Sequence, residues 1–222
     1  MCQAYDGYCT NPKSIKESAI MSDVYAPCFC GSGKKFKFCC YGIEKKGGVI
    51  PATSEYCKFP IHECKVLENW KETGISPVYI SRKLTDNSYV VICYLLDFWC
   101  LGLKDTIVKF GVSKRDLSQF YNRGNGYDLV TISYQDARSL ILGAIDFAKA
   151  IDIAPHSSWN GMPSAFIETS LAYEKKFSFG LKGKPHYVSG PNDYELYDVE
   201  EVVKKVSKAR GHYFVHHPAF RP

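Results

Sequence analysis

Between Pro77 and Trp99 the chain carries two runs in which apolar residues dominate. One is Pro77 to Leu84 (Pro-Val-Tyr-Ile-Ser-Arg-Lys-Leu), the other Ser88 to Trp99. Both are rich in β-branched and aromatic residues, which suit a pleated, packed surface. Thr85-Asp86-Asn87 between them predicts a hairpin. The second run is almost continuously apolar, the mark of a strand covered on both faces. Further on, Ser133 and Asp136 resemble a capping box. Ala137, Leu140, Ile141, Ala144, Ile145 and Ala148 follow at helical spacing, so a helix is expected to end near Ala150. Residues 114–121 predict a shorter helix, and Val199 to Ala209 an amphipathic one closed by Gly211. Tyr173–Leu181 and His186–Ser189 read as a hairpin around Lys182-Gly183-Lys184. Lys13 to Met21 reads as a short helix or irregular structure. Together these elements give an α+β fold, a mixed or antiparallel sheet with packed helices.

Composition narrows the class. The chain has 222 residues, 45% hydrophobic and 23% charged, which is ordinary for a globular protein and argues against disorder, collagen-like repeats and coiled coil. Lys and Arg number 28 against 23 Asp and Glu, a net charge of +5. That excess permits contact with phosphate-rich partners without demanding it. No apolar run approaches the ~18 residues of a membrane span, since Val90–Leu96 is stopped by Asp97. Met1-Cys2-Gln3-Ala4-Tyr5-Asp6 has neither the basic start nor the apolar stretch of a secretory signal. The expected location is therefore the cytoplasm.

Ten cysteines then change the picture. In a reducing compartment they serve as metal ligands or small buried hydrophobes more often than as disulfides. Cys28, Cys30, Cys39 and Cys40 form a Cys-x-Cys-x8-Cys-Cys pattern. Four thiolates so close together close a tetrahedral zinc site. With every position taken by protein, one such zinc is structural, and its binding energy is folding energy. Gly31 and Gly33 let the backbone turn after the first pair. Lys34, Lys35 and Lys37 lower the cost of gathering thiolates. Gly31-Ser32-Gly33-Lys34 lacks the spacing of a phosphate-binding loop.

The stretch Cys-x-Cys-Gly-Ser-Gly-Lys-Lys-Phe-Lys-x-Cys-Cys resembles the SEC-C motif, the zinc module at the tail of the preprotein translocase motor. Phe36 stands where Tyr is usual. The resemblance implies zinc binding and contact with a protein or the ribosome, as in the translocase tail, and does not imply catalysis. Asn69–Gly74, Val78–Arg82, Leu96–Asp105, Gly143–Ala148, Pro155-His156, Gly183–Pro185 and Val188–Pro191 are similar to a bacterial family of unknown function whose members often carry such a knuckle. That likeness spans most of residues 60–205. The organisation expected is a lead-in over 1–27, the small N-terminal zinc knuckle over 28–40, a linker over 41–56 containing Lys45-Lys46-Gly47-Gly48, and an α+β domain over 57–222.

Several other residues carry candidate chemistry. Asp97 ends an apolar strand, with Lys104 and Asp105 beyond Gly102; a buried carboxylate there needs a metal, a cation or a raised pKa. It either works in an active site or caps the next turn, or pairs with Lys104 or Arg82. Asp97, Asp105 and His156, with Asp193, form the constellation expected of a metal-dependent hydrolase. Cys93 and Cys100 read as packing. His212, His216 and His217, the group Cys57, His62 and Cys64, and the pair Cys2 and Cys9 carry weaker metal signals. Lys34, Lys35, Lys37, Lys45 and Lys46 stand against Glu44 alone, interleaved with Phe29, Phe36 and Phe38, the mixture that grips phosphates and stacks bases. Two functions follow as expectations. One is a zinc-binding adaptor docking onto a protein or a ribosomal RNA partner through Lys34, Lys35 and Lys37. The other is a metal-dependent hydrolase, a nuclease being one form of it, that uses the knuckle for targeting.

Overall fold

A computed structural model describes residues 24–25, 35–38, 41, 53–85, 87–121 and 128–215. The expected helix over 13–21, the four knuckle cysteines, Lys34, Lys45, Lys46, His216 and His217 lie outside the described residues. Among the described residues the fold is α+β, built on a five-stranded antiparallel sheet.

Strands β1 (Ile61–Leu67), β2 (Ile75–Thr85), β3 (Ser88–Asp97) and β4 (Gly102–Val112) form a meander. Strand β5 (Leu129–Ile132) adds beside β1, giving the order β4-β3-β2-β1-β5. One helical turn, α1 (Trp70–Thr73), links β1 to β2 and ends at Gly74, whose φ of 71° is left-handed. A Cβ at Gly74 would stand 2.2 Å from the Trp99 ring, so only glycine serves there.

The nearly unbroken apolar character of β3 has the expected cause. Helix α3 (Tyr134–Lys149) covers one face of the sheet, with Leu140, Ile141 and Ala144 in the same core as Ile80, Ile92 and Leu96. Helix α2 (Lys114–Tyr121) covers the other, where Leu117 and Tyr121 join Tyr79, Val91 and Cys93. Each fully buried large side chain of this kind contributes ~1.5–3 kcal/mol. The start of α3 follows the capping pattern, as the Asp136 N–H donates to Ser133 Oγ at 3.0 Å. A 3₁₀ turn, Thr53–Lys58, belongs to this body too, with Tyr56 buried against Phe59 and Phe110. The packed body thus begins ahead of Cys57.

The expected hairpin over residues 173–189 does not form as such. Lys182 and Gly183 make a tight turn with φ of 53° and 77°, bridging Leu181 to Lys184. The flanks then part, because the Gly180 N–H donates to the Phe98 carbonyl and the His186 N–H to that of Trp99. The turn therefore grips the β3–β4 connection instead of extending its own ladder. Beyond it, β6 (His186–Val188) pairs in parallel with β7 (His212–Phe214). The crossover that parallel pairing requires contains α5 (Asp193–Leu196) and α6 (Val199–Lys208). Arg210, at φ 56°, takes the left-handed position after α6. Gly211 follows for a different reason, since a Cβ there would lie 2.4 Å from the Pro185 carbonyl oxygen.

Two buried arginines tie the helix α4 (Met162–Phe166) and the chain after it to this frame. Arg138, on α3 and 8% exposed, donates to the carbonyls of Ile167, Glu168, Leu171 and Ala172. Arg82, on β2 and 3% exposed, donates to the carbonyls of Cys57, Phe59 and Phe166 and to Tyr134 Oη. No helix among the described residues is long and apolar enough to cross a membrane. Replacing Arg138 by Leu strands four carbonyls, so stability should fall by about 3 kcal/mol or more in urea denaturation. Arg138→Lys should restore only part, because one ammonium cannot span the positions a guanidinium fork reaches. A loss under about 1 kcal/mol in Arg138→Leu would contradict the assignment.

Candidate functional site

The connection from β3 to β4 is flanked by three of the charged residues singled out in the sequence, Asp97, Lys104 and Asp105. Asp97 is the last residue of β3 and is 4% exposed. Its Oδ1 accepts from the N–H groups of Trp99 and Cys100, both at 2.9 Å, so the carboxylate caps the turn that follows. Burial pushes this carboxyl up to about 6, against the pull of the Trp99 N–H and of Lys104.

A β-bulge then redirects β4. Leu96 faces Leu103 while Leu95 faces Asp105, leaving Lys104 as the extra residue. Its side chain is buried, and Nζ lies 2.8 Å from Asp193 Oδ1. Asp193 also accepts from Tyr187 Oη at 3.1 Å and from the Gly190 N–H at 2.9 Å. The Tyr197 ring lies 5.9 Å from Lys104 Nζ. Burial, and after it the charges of Asp193, Asp97 and Asp105, raises the Tyr197 hydroxyl. Of the carboxylates expected around a metal, Asp193 instead meets a lysine ammonium, which supplies the positive charge it needs. Lys104 pairs with Asp193, not with Asp97, and Arg82 serves the carbonyls described above.

Asp105 and His156 do come together, with His156 Nδ1 3.7 Å from Asp105 Oδ1. Their partners define the role of the imidazole. Its Nδ1 accepts from the Ser158 N–H at 3.3 Å and lies 2.9 Å from Ser158 Oγ, which itself accepts from the Thr106 N–H at 3.0 Å. Nδ1 thus meets Ser158 through both its N–H and its Oγ. In a serine relay the acid and the serine occupy opposite ring nitrogens; here both lie at Nδ1. The group clamps the 3₁₀ turn Ser157–Trp159 onto β4, aided by the His156 N–H donating to the Leu103 carbonyl at 3.0 Å.

Of the weaker metal signals, Cys2, Cys9, His216 and His217 lie outside the described residues. Among the described residues no three His, Cys, Asp or Glu side chains converge to hold a metal. Burial raises the Cys64 and Cys93 thiols to about 12 and the Cys100 thiol further, so these remain neutral packing groups. Cys57 donates to the Ala165 carbonyl, and His62 packs on Tyr89 with ring centroids 4.5 Å apart. His212 lies in β7, in register with His186.

Tyr25, Lys35, Lys37 and Phe38 form a distinct surface among the described residues. Phe36 is 1% exposed and meets Tyr41 edge-on at 5.8 Å, whereas Phe38 is 68% exposed. Lys37 Nζ donates to Tyr25 Oη and stands 4.6 Å from the centre of that ring; Lys35 Nζ stands 5.8 Å from it. Phe38 meets Tyr25 edge-on at 6.4 Å. Two lysines and two exposed rings thus share one patch, with cation–π contacts holding the lysines over the aromatics.

Sequence reading missed Arg138, although it falls on the apolar stripe of α3 with Ile141 and Ile145, where a charge is out of place. The state of Asp97 gives a direct test. Its folded-state value lies above the ordinary 3.8, so protonation favours the folded form. That contribution is complete below about pH 4 and is lost as the pH rises to 6. Asp97→Asn keeps an acceptor for both N–H groups. It should flatten stability between pH 4 and 6 and exceed the parent by about 1–3 kcal/mol at pH 7. Urea midpoints across that range should show this, and an unchanged pH profile would contradict it.

Comparison with family models, curated proteins and solved structures yields no match to this chain, so the case for a function rests on its own residues.

Proposed function

We propose that the chain is a zinc-binding adaptor of the SEC-C type whose knuckle docks onto structured RNA, ribosomal RNA being the kind its surface suits. One observation carries the reading. Lys35 and Lys37 stand over Tyr25 with the exposed Phe38 beside it, between the two cysteine pairs Cys28/Cys30 and Cys39/Cys40. Ammonium groups meet phosphates, and exposed rings stack on unpaired bases. A protein partner of acidic character is the other occupant that such a surface admits. The four cysteines offer the donor set of a closed structural zinc site, which would fix this short segment in one shape.

The hydrolase reading has less behind it. Asp97 is engaged in capping a turn, Asp193 in pairing Lys104, and His156 in holding Ser158. The α+β domain serves instead as a second recognition surface and as the body to which the knuckle is joined.

Fluorescence anisotropy with a labelled RNA stem-loop tests the proposal. Affinity should fall by about tenfold or more between 50 and 200 mM salt, as expected for a few phosphate contacts. Lys34→Glu with Lys35→Glu, or Lys35→Glu with Lys37→Glu, should abolish binding at the lower salt. Binding unchanged in both double variants, or insensitive to salt, would contradict the proposal.

A further inference from the structure

A cavity of about 240 Å³ lies between α3 and the segment 173–179, well away in sequence from the knuckle. Four aromatic rings line it, those of Phe147, Tyr173, Phe177 and Phe179, together with Asp146 and Lys175. The rings are held from behind. Phe179 stacks on Phe98 with centroids 6.2 Å apart, and Phe177 meets Trp70 edge-on at 5.7 Å. Gly143 makes room for this wall, since a Cβ there would stand 2.5 Å from the Phe179 ring. At the near end of the segment, Lys176 pairs with Asp136 at 2.7 Å. The Asp146 carboxylate is oriented as well, with Oδ2 accepting from Tyr173 Oη at 2.5 Å.

The chemistry of this lining selects a ligand class. Phe147 and Phe179 are inclined at 35°, so they form a tilted box and not the parallel slot that a flat base requires. Ring faces attract cations, and a box of several rings with a carboxylate is the arrangement that recognises methylated ammonium groups. Lys175 adds a positive charge on the same lining and forms no ion pair with Asp146 among the described residues. Asp146 and Lys175 are both exposed, so water answers whichever charge a ligand leaves unmatched, and only opposite charges on one ligand use both. A molecule bearing both charges matches both. The volume lies below the ~300–1,000 Å³ of drug-sized sites, so the molecule is small.

We infer that this cavity binds a small zwitterion with a methylated ammonium head, its cation seated among the rings beside Asp146 and its anion at Lys175. The site stands independently of the knuckle and of its partner. Such chemistry comes either from a free solute of the betaine kind or from a phosphocholine head group, and the two are separable by experiment.

Isothermal titration calorimetry on the full chain should compare glycine betaine, phosphocholine and 3,3-dimethylbutyrate. The last is the carbon isostere of betaine and keeps its shape and carboxylate without the cation. One of the two zwitterions should bind about tenfold tighter than the isostere, the range expected for a desolvated cation–π site. Preference for betaine assigns the free solute, and preference for phosphocholine assigns the head group. Asp146→Asn keeps an acceptor for Tyr173 and should weaken the preferred zwitterion by about fivefold without lowering the melting temperature. Failure of both zwitterions to bind, or binding of the isostere with equal affinity, would overturn the inference.

Discussion

A guanidinium group taken out of water costs several kcal/mol unless its donors are met, and two are buried among the described residues. Arg82 reaches from the middle of the sheet and Arg138 from the helix laid across it. Both direct their N–H groups at backbone carbonyls of irregular chain. Those carbonyls belong to the turn before β1 and to the segment around α4, neither of which has a ladder to satisfy it. Glu168 adds a partial counter-charge, 3.6 Å from Arg82. The arrangement is mutual. The arginines are tolerated inside because irregular backbone supplies acceptors, and that backbone is ordered because the arginines supply donors. The path of the chain from Met162 to Ala172, and with it the start of the segment that walls the aromatic cavity, depends on this exchange.

The same economy governs the other interior charges. Asp97 is held by two N–H groups of the turn it caps, and Lys104 by Asp193. Tyr187 joins Asp193 and so couples the β3–β4 connection to the parallel pair β6–β7. Asp97 acts locally, whereas Lys104 joins chain segments distant in sequence, its partner Asp193 being 89 residues away. Residues that look catalytic in a linear reading are therefore occupied in architecture. Chemistry directed outward is proposed for two other places, the basic aromatic patch around Tyr25 and the ring-lined cavity beside α3.

Much of the sheet was legible because periodicity is local. The paired runs around Thr85-Asp86-Asn87 and the capped helix after Ser133 formed as their patterns require. Strand β4 carried a signal that went unread: Thr106, Val108, Phe110 and Val112 alternate with Asp105, Ile107 and Lys109. The bulge at Lys104 breaks that alternation near its start, and a second bulge at His62 does the same to β1. Strand β5, at four residues, is too short to show a period. The turn at Lys182-Gly183 was readable from its residues, but the partners of its flanks were not. Phe98 and Trp99 lie some eighty residues earlier, and no local pattern announces them. The candidate site was legible in its members and, among their roles, in the capping of the next turn by Asp97. Asp97, Asp105, His156 and Asp193 were each identifiable as polar residues near apolar runs. Only the fold reveals that the partner of Lys104 is Asp193.

The central claim is that Cys28, Cys30, Cys39 and Cys40 close one structural zinc site that shapes the docking surface. Metal content per chain, measured by elemental analysis on purified protein beside the Cys28→Ser/Cys30→Ser variant, tests it most directly. The account predicts one zinc per chain in the parent and none in the variant. A parent without zinc, or metal retained in full by the variant, would contradict it.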